Sequence, residues 1–168
     1  AEAILEEWLK WDTVGLAGVI GFFEAQSRGE TIVVQTKQSG PTLLEHLRQQ
    51  KPEKKKKSCC PSKPGGTNLC LSDYLAPEES GVVDYMGGFA VTSGTLLEDK
   101  AREAEDAGDD YTGILIKALA DRLAEAYAEW LHEWVRTTGW GYSPSESLTN
   151  EDRIRSRYRG IRPAPGYP

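Results

Sequence analysis

The longest regular spacing of apolar positions lies in the second half of the chain. Leu115, Leu119, Leu123, Ala126, Tyr127, Trp130, Leu131 and Trp134 recur at helical intervals and form one wide stripe. Asp109 or Asp110 stands where an N-terminal cap belongs, so the pattern predicts an amphipathic helix over about 112–137, roughly 40 Å long. Ahead of it, residues 96–110 carry seven acids and two bases, the composition of an exposed helix that ends near Gly108. At the start, Ile4, Leu5, Trp8 and Leu9 share a stripe among acids, predicting an acidic amphipathic helix over 1–10. Residues 15–23 are apolar but hold Gly15, Gly18 and Gly21, which penalise a helix, so a loop leading into a buried strand is expected. The β-branched run 31–36 predicts a second strand, antiparallel to the first across Ser27-Arg28-Gly29-Glu30. Leu43, Leu44 and Leu47 fall at i, i+1 and i+4, predicting a short helix over 41–50 with Pro41 in its first turn. Order resumes at 69–74 and in a strand-like run over 82–93 that holds Gly87 and Gly88. Beyond Gly139 come an aromatic turn with Trp140 and Tyr142, a basic helix-like stretch over 150–159, and a proline-rich end that cannot be helical.

Composition narrows the possibilities. The chain has 168 residues, 39% of them hydrophobic, and a formal charge of −6 from 20 Lys+Arg against 26 Asp+Glu. That length suits one domain, or one large piece of one. No apolar run reaches the ~18 residues of a membrane helix, and an isoelectric point near 5.1 argues against nonspecific nucleic-acid binding. Three cysteines, two of them adjacent, make no disulfide framework and point to a reducing compartment, and no signal peptide is visible. Residues 51–67 hold six lysines, one glutamate, three prolines and two glycines, so a solvated, disordered insertion is expected there. Met86 is the sole methionine, which suggests a chain that begins inside a longer protein, and the ending at Pro168 looks cut as well.

The strip Arg162-Pro163-Ala164-Pro165-Gly166-Tyr167-Pro168 carries the most specific chemistry. Three prolines remove three donors and stiffen the chain into a rail of carbonyls without ladder partners. Those carbonyls suit a ligand ammonium, the Arg162 fork suits a carboxylate, and Gly166 permits close approach to the backbone. The same heptapeptide also fits a plain proline-rich linker. On the long helix, Asp121 and Glu125 share a face at i, i+4, with His132 seven residues on and Lys117 and Arg122 nearby. They read either as a patch that receives a cation or protonated imidazole from a partner, or as a solvated face. Cys59, Cys60, Cys70 and His46 lack zinc-site spacing. Neither a catalytic triad nor a phosphate-binding glycine loop is recognisable. Arg153, Arg155, Arg157, Arg159 and Arg162 read as a solvated face or as a steering surface for an acidic partner.

With these residues in view, the chain resembles the activation domain of cobalamin-dependent methionine synthase. The resemblance is carried by Lys117-Ala-Leu-Ala-Asp-Arg-Leu-Ala-Glu-Ala-Tyr-Ala-Glu-Trp-Leu-His-Glu-Trp-Val-Arg136 and by the segment from Gly160 to Pro168. Gly18-Val-Ile-Gly-Phe22, Leu47-Arg-Gln-Gln50, Cys70-Leu-Ser-Asp-Tyr74, Asp84-Tyr-Met-Gly-Gly-Phe-Ala-Val91 and Asp109-Asp-Tyr111 support it in family order. It implies a C-shaped α+β fold, a twisted antiparallel sheet with flanking helices, that holds S-adenosylmethionine for reductive methylation of cob(II)alamin. Arg162 would clamp the ligand carboxylate, Pro163, Ala164 and Gly166 would line its amino-acid and adenosine parts, and Tyr167 would lie near the sulfonium. Asp121 and Glu125 would face the cobalamin-binding domain of the same polypeptide and receive the histidine released from cobalt. The electron would come from flavodoxin or a flavoprotein reductase, and zinc would belong to a distant domain of the full enzyme. The nucleophile would be reduced cobalt, so the domain need only position a methyl group and exclude water. Residues 1–168 would then be part of the reactivation domain of a cytoplasmic methyltransferase, inactive by itself. The family has an acidic ligand contact before Ala1 and continues beyond Pro168, and the Lys-rich loop looks like a lineage-specific insertion. The alternative is a non-catalytic docking module whose acidic helix face binds a partner domain or reductase.

Overall fold

In the computed structural model, residues 6, 15–37, 40–50 and 68–164 are described. Of the helix predicted over 1–10 only Glu6 falls within them, and it is helical. The segment 51–67, with Cys59 and Cys60, and residues 165–168 lie outside the described residues. The elements are β1 (Ala17–Arg28), β2 (Thr31–Val34), β3 (Thr42–Glu45), β4 (Tyr85–Thr92), α1 (Thr95–Asp106), α2 (Asp110–Trp134) and α3 (Asn150–Ile154). The fold is α+β, with sheet order β3-β2-β1-β4. The chain divides into two compact units, one of residues 20–89 and one of the residues before and after them.

The sheet unit begins with the predicted hairpin. Arg28 pairs with Thr31 across a two-residue loop, and Gly29 supplies its positive φ of 62°. Ala25, Ile32 and Val34 form a core joined by Leu44, Leu71, Leu75 and Met86. Two expectations change here. The stretch 15–23 is strand from Ala17 onward, and its first half is exposed rather than buried, with Val19, Phe22 and Phe23 open to solvent. Its glycines accommodate rings: a Cβ on Gly21 would stand 2.7 Å from the Phe23 ring, and one on Gly18 would stand 3.0 Å from Tyr127. The segment predicted as a helix over 41–50 instead contains β3, which pairs antiparallel with every residue of β2. A period of two then applies: Leu44 joins the core, while Leu43 is 52% and Leu47 81% exposed. Pairing gives the backbone groups of β2 their partners on that side, a demand that local spacing does not express.

The helical unit is built on α1 and α2. Gly108, at φ 79°, ends α1, and the Asp109 carboxylate accepts from the Thr112 amide at 3.0 Å, capping α2. Hydrogen bonds from the Thr112 hydroxyl and then its amide hold the Asp109 carboxyl below its ordinary pKa. Leu97 and Ala101 of α1 pack against Ile116, Leu119, Ala120 and Leu123 of α2. The predicted stripe omitted Ile116 and included Ala126, Trp130 and Trp134, which are exposed. α2 has 25 residues and runs on through a π turn, Val135–Gly139. The basic stretch 150–159 is helical only over α3, because Ser156 turns left-handed at φ 52°.

Candidate functional site

The end of α2 carries a buried polar cluster that sequence reasoning missed. Arg136 is fully buried, and its Nε and Nη2 donate to both Glu146 carboxylate oxygens at 2.6–3.0 Å. Its Nη1 donates to His132 Nδ1 at 2.6 Å, and the guanidinium carbon lies 4.6 Å above the Tyr158 ring. An arginine only donates, so His132 Nδ1 must accept, which assigns the imidazole proton to Nε2. Burial and the adjacent guanidinium push His132 down to about 4, with Glu146 opposing. His132 therefore does not share the exposed face of Asp121 and Glu125. It is buried, edge-on to Tyr158 with ring centres 4.8 Å apart. The sequence signal available was the i, i+4 spacing of His132 and Arg136.

Arg162 lies against the same helix. Its Nη2 donates to Glu129 Oε1, and the side chain is about three-quarters buried. Among the described residues, Arg162 Nε and Glu129 Oε2 are both buried without a hydrogen-bond partner. Burial lowers the guanidinium pKa, and the nearby Glu125 charge opposes that shift. Pro163 and Ala164 follow it in exposed, irregular backbone, while Gly166 and Tyr167 lie outside the described residues. Glu129 was missed by the sequence reading, although it continues the i, i+4 run of Asp121 and Glu125.

Asp121 and Glu125 are exposed on α2 as expected. Glu125 accepts from Arg122 at 2.6 Å, whereas Lys117 turns away to Glu105 at 2.7 Å. The remaining arginines of the basic stretch are engaged within the chain. Arg153 reaches Glu133, Arg155 reaches Glu151, Arg157 reaches Asp152, and Arg159 donates to the Tyr142 carbonyl. Among the described residues no group of three potential metal ligands comes together, and Cys70 is a buried thiol. A cleft of about 300 Å³ in the sheet unit is lined by Glu24, Gln26, Gln35 and Asp84, and contains none of the predicted site residues.

The α+β module thus presents a guanidinium about three-quarters buried against an acidic helix face, with a proline-rich strip following it in sequence. The family described as "Vitamin B12 dependent methionine synthase, activation domain" matches residues 1–168. A crystal structure of the MetH reactivation domain bound to AdoHcy is similar at a TM-score of 0.84 and 44% identity, covering 99% of this chain. It covers 49% of that chain, so the present one spans about half its length. The chain belongs to the family of vitamin B12-dependent methionine synthase activation domains.

Proposed function

We propose that the chain contributes a binding site for S-adenosylmethionine to a cobalamin-dependent methionine synthase and serves its reactivation from cob(II)alamin. The observation that carries this reading is the 44% identity, along nearly the whole chain, to a reactivation domain bound to AdoHcy. The residues suit such a ligand: Arg162 Nε is buried without a partner among the described residues, a donor that an α-carboxylate would satisfy. When bound, S-adenosylmethionine supplies an electrophilic methyl group, and the cobalt of a cobalamin held by a neighbouring domain is its acceptor. The chain's own part is to bind and orient. Arg162 anchors the carboxylate end, Pro163, Ala164 and Gly166 line the amino-acid and adenosine parts, and Tyr167 stands towards the sulfonium. Asp121 and Glu125, exposed on α2, face the cobalamin-binding domain and accept the histidine that cobalt releases. Flavodoxin or a flavoprotein reductase provides the electron, and the work is cytoplasmic. Among the described residues no helix is long and apolar enough to cross a membrane.

Calorimetric titration with S-adenosylmethionine and AdoHcy tests the reading. The Arg162→Ala variant is expected to lose about 1.5–3 kcal/mol of binding free energy, the scale of a hydrogen bond to a charged group. Unchanged affinity removes Arg162 from the site. Absence of any ligand heat, with binding to the cobalamin-binding domain intact, favours a docking module instead.

A further inference from the structure

Residues 161–164 belong to no helix or strand, so the path of the strip that begins at Arg162 depends on what holds the chain beside it. Immediately ahead of it, consecutive residues are fastened to the segment 132–146. The Tyr158 ring lies 4.6 Å from the Arg136 guanidinium carbon and stands edge-on to His132, ring centres 4.8 Å apart. Arg159 and Tyr142 exchange hydrogen bonds of 3.3 Å: the tyrosine hydroxyl donates to the Arg159 carbonyl, and Arg159 Nη1 donates to the Tyr142 carbonyl. Gly160 follows at φ 91°, where a Cβ would stand 3.3 Å from the Tyr142 hydroxyl oxygen. The partners are themselves fixed. Arg136 is fully buried and bonded to Glu146 and His132, and Trp140 packs edge-on against Tyr142.

We propose that Tyr158 is a positioning residue for the strip: seated on Arg136 and His132, it fixes where the chain enters residues 162–164 and holds the strip ready for its ligand. This rests on the S-adenosylmethionine reading above, and it acts through the backbone rather than by contact with the ligand. A strip without ladder partners, left free at its start, samples many arrangements, and the cost of ordering it falls on binding. The apparent affinity then drops in proportion to the fraction of molecules in the competent arrangement. A ring on a buried guanidinium suits this task. The contact is broad and charge-assisted, and the Glu146 carboxylate keeps Arg136 from swinging away. Tyr158 stands four residues ahead of Arg162, close enough in the chain to set its approach.

The competing possibility is that the contact of Arg162 with Glu129 places the strip unaided, and Tyr158 only adds stability to the end of α2. Calorimetric titration of the 168-residue chain with AdoHcy, joined to limited trypsin digestion, separates the two. Tyr158→Leu removes the ring and is expected to weaken AdoHcy about tenfold. Cleavage after Arg159 should quicken in that variant, and saturating AdoHcy should restore protection. Tyr158→Phe, which keeps the ring on both partners, should stay within about twofold of the unaltered chain in both measurements. A melting temperature lowered by Tyr158→Leu, with affinity of the folded protein unchanged, overturns the positioning role and leaves the site reading standing. Equal losses of affinity in the Leu and Phe variants overturn it as well. Failure of the unaltered chain to bind AdoHcy overturns the site reading, and the inference with it. If Tyr158→Leu does not fold, Tyr142→Phe, which deletes the hydroxyl that holds the Arg159 carbonyl, must weaken AdoHcy about threefold, and no loss there overturns the proposal.

Discussion

All three nitrogens of the Arg136 guanidinium donate, Nε and Nη2 to the Glu146 carboxylate and Nη1 to the His132 ring nitrogen, and its face lies over the Tyr158 ring. Such a cluster is tolerable inside a protein because each charge meets its opposite. His132 makes the arrangement sensitive to pH. Protonating Nδ1 would place a second donor, and a second positive charge, against the Arg136 guanidinium. Its folded pKa of about 4 lies below the usual 6.5, so between those values the unfolded chain binds more protons. The stabilising contribution is full above pH 6.5 and is lost as pH falls towards 4, amounting to about 3 kcal/mol at most. Urea unfolding at pH 7, 6, 5 and 4 should show that slope, and His132→Gln, which keeps an acceptor but does not titrate, should flatten it. A slope unchanged by the substitution would deny His132 this role. Beyond the i, i+4 spacing of His132 and Arg136, this cluster was not legible in sequence. Hydropathy puts arginine at the surface, and Glu146 lies ten residues on, in a stretch without helical or strand periodicity.

The α1–α2 pair shows what an element needs from its neighbour. Gly113 sits where α2 approaches α1: a Cβ there would meet Glu105 Cγ at 2.6 Å and the Ala101 carbonyl oxygen at 3.1 Å. In an isolated helix Gly→Ala would gain up to about 1 kcal/mol. Here Gly113→Ala must move a side chain and press on a backbone carbonyl, so we expect a net loss of about 1–2 kcal/mol, in the range of overpacking. Thermal unfolding measures it, and a rise in melting temperature would contradict the close approach. α2 was readable because its cap Asp109 and its apolar repeat are local signals, and so was the end of α1 at Gly108. β3 was not. Leu43, Leu44 and, just beyond the strand, Leu47 match a helical spacing, and what decides against it is the edge of β2, 8–14 positions away in register.

At the scale of the whole molecule, the exposed acids of α2 are available to a second surface. Asp121 and Glu125 each present a carboxylate to solvent, and Glu125 is only partly neutralised by an exposed arginine, since pairs of that kind contribute little. The proposed contact with the cobalamin-binding domain then depends on charge. Asp121→Asn with Glu125→Gln should weaken association of the two domains severalfold at low salt and less at high salt. Because both positions are exposed, the melting temperature should change by no more than about 0.5 kcal/mol implies. Sedimentation or calorimetry with the isolated cobalamin-binding domain measures the first, and unfolding the second. Association indifferent to both charge and salt would move the contact elsewhere. The patch was visible in sequence as an i, i+4 pair. The link from Glu129 to Arg162 was not, since 33 residues separate that pair.

Read alone, the sequence determined what depends on neighbours within a turn or two. It specified the long amphipathic helix and its cap, the hairpin at Gly29, and the ordered motifs that mark the family and, through that resemblance, imply the α+β class. Tertiary structure alone decided which apolar residues are covered, that residues 42–45 extend rather than coil, that Arg136 is buried, and that Arg162 rests on Glu129. The physical reason is range. Helix caps and turns are settled by backbone bonds between residues a few positions apart, whereas burial, strand pairing and ion pairing are settled by whichever distant segment arrives with a complementary surface.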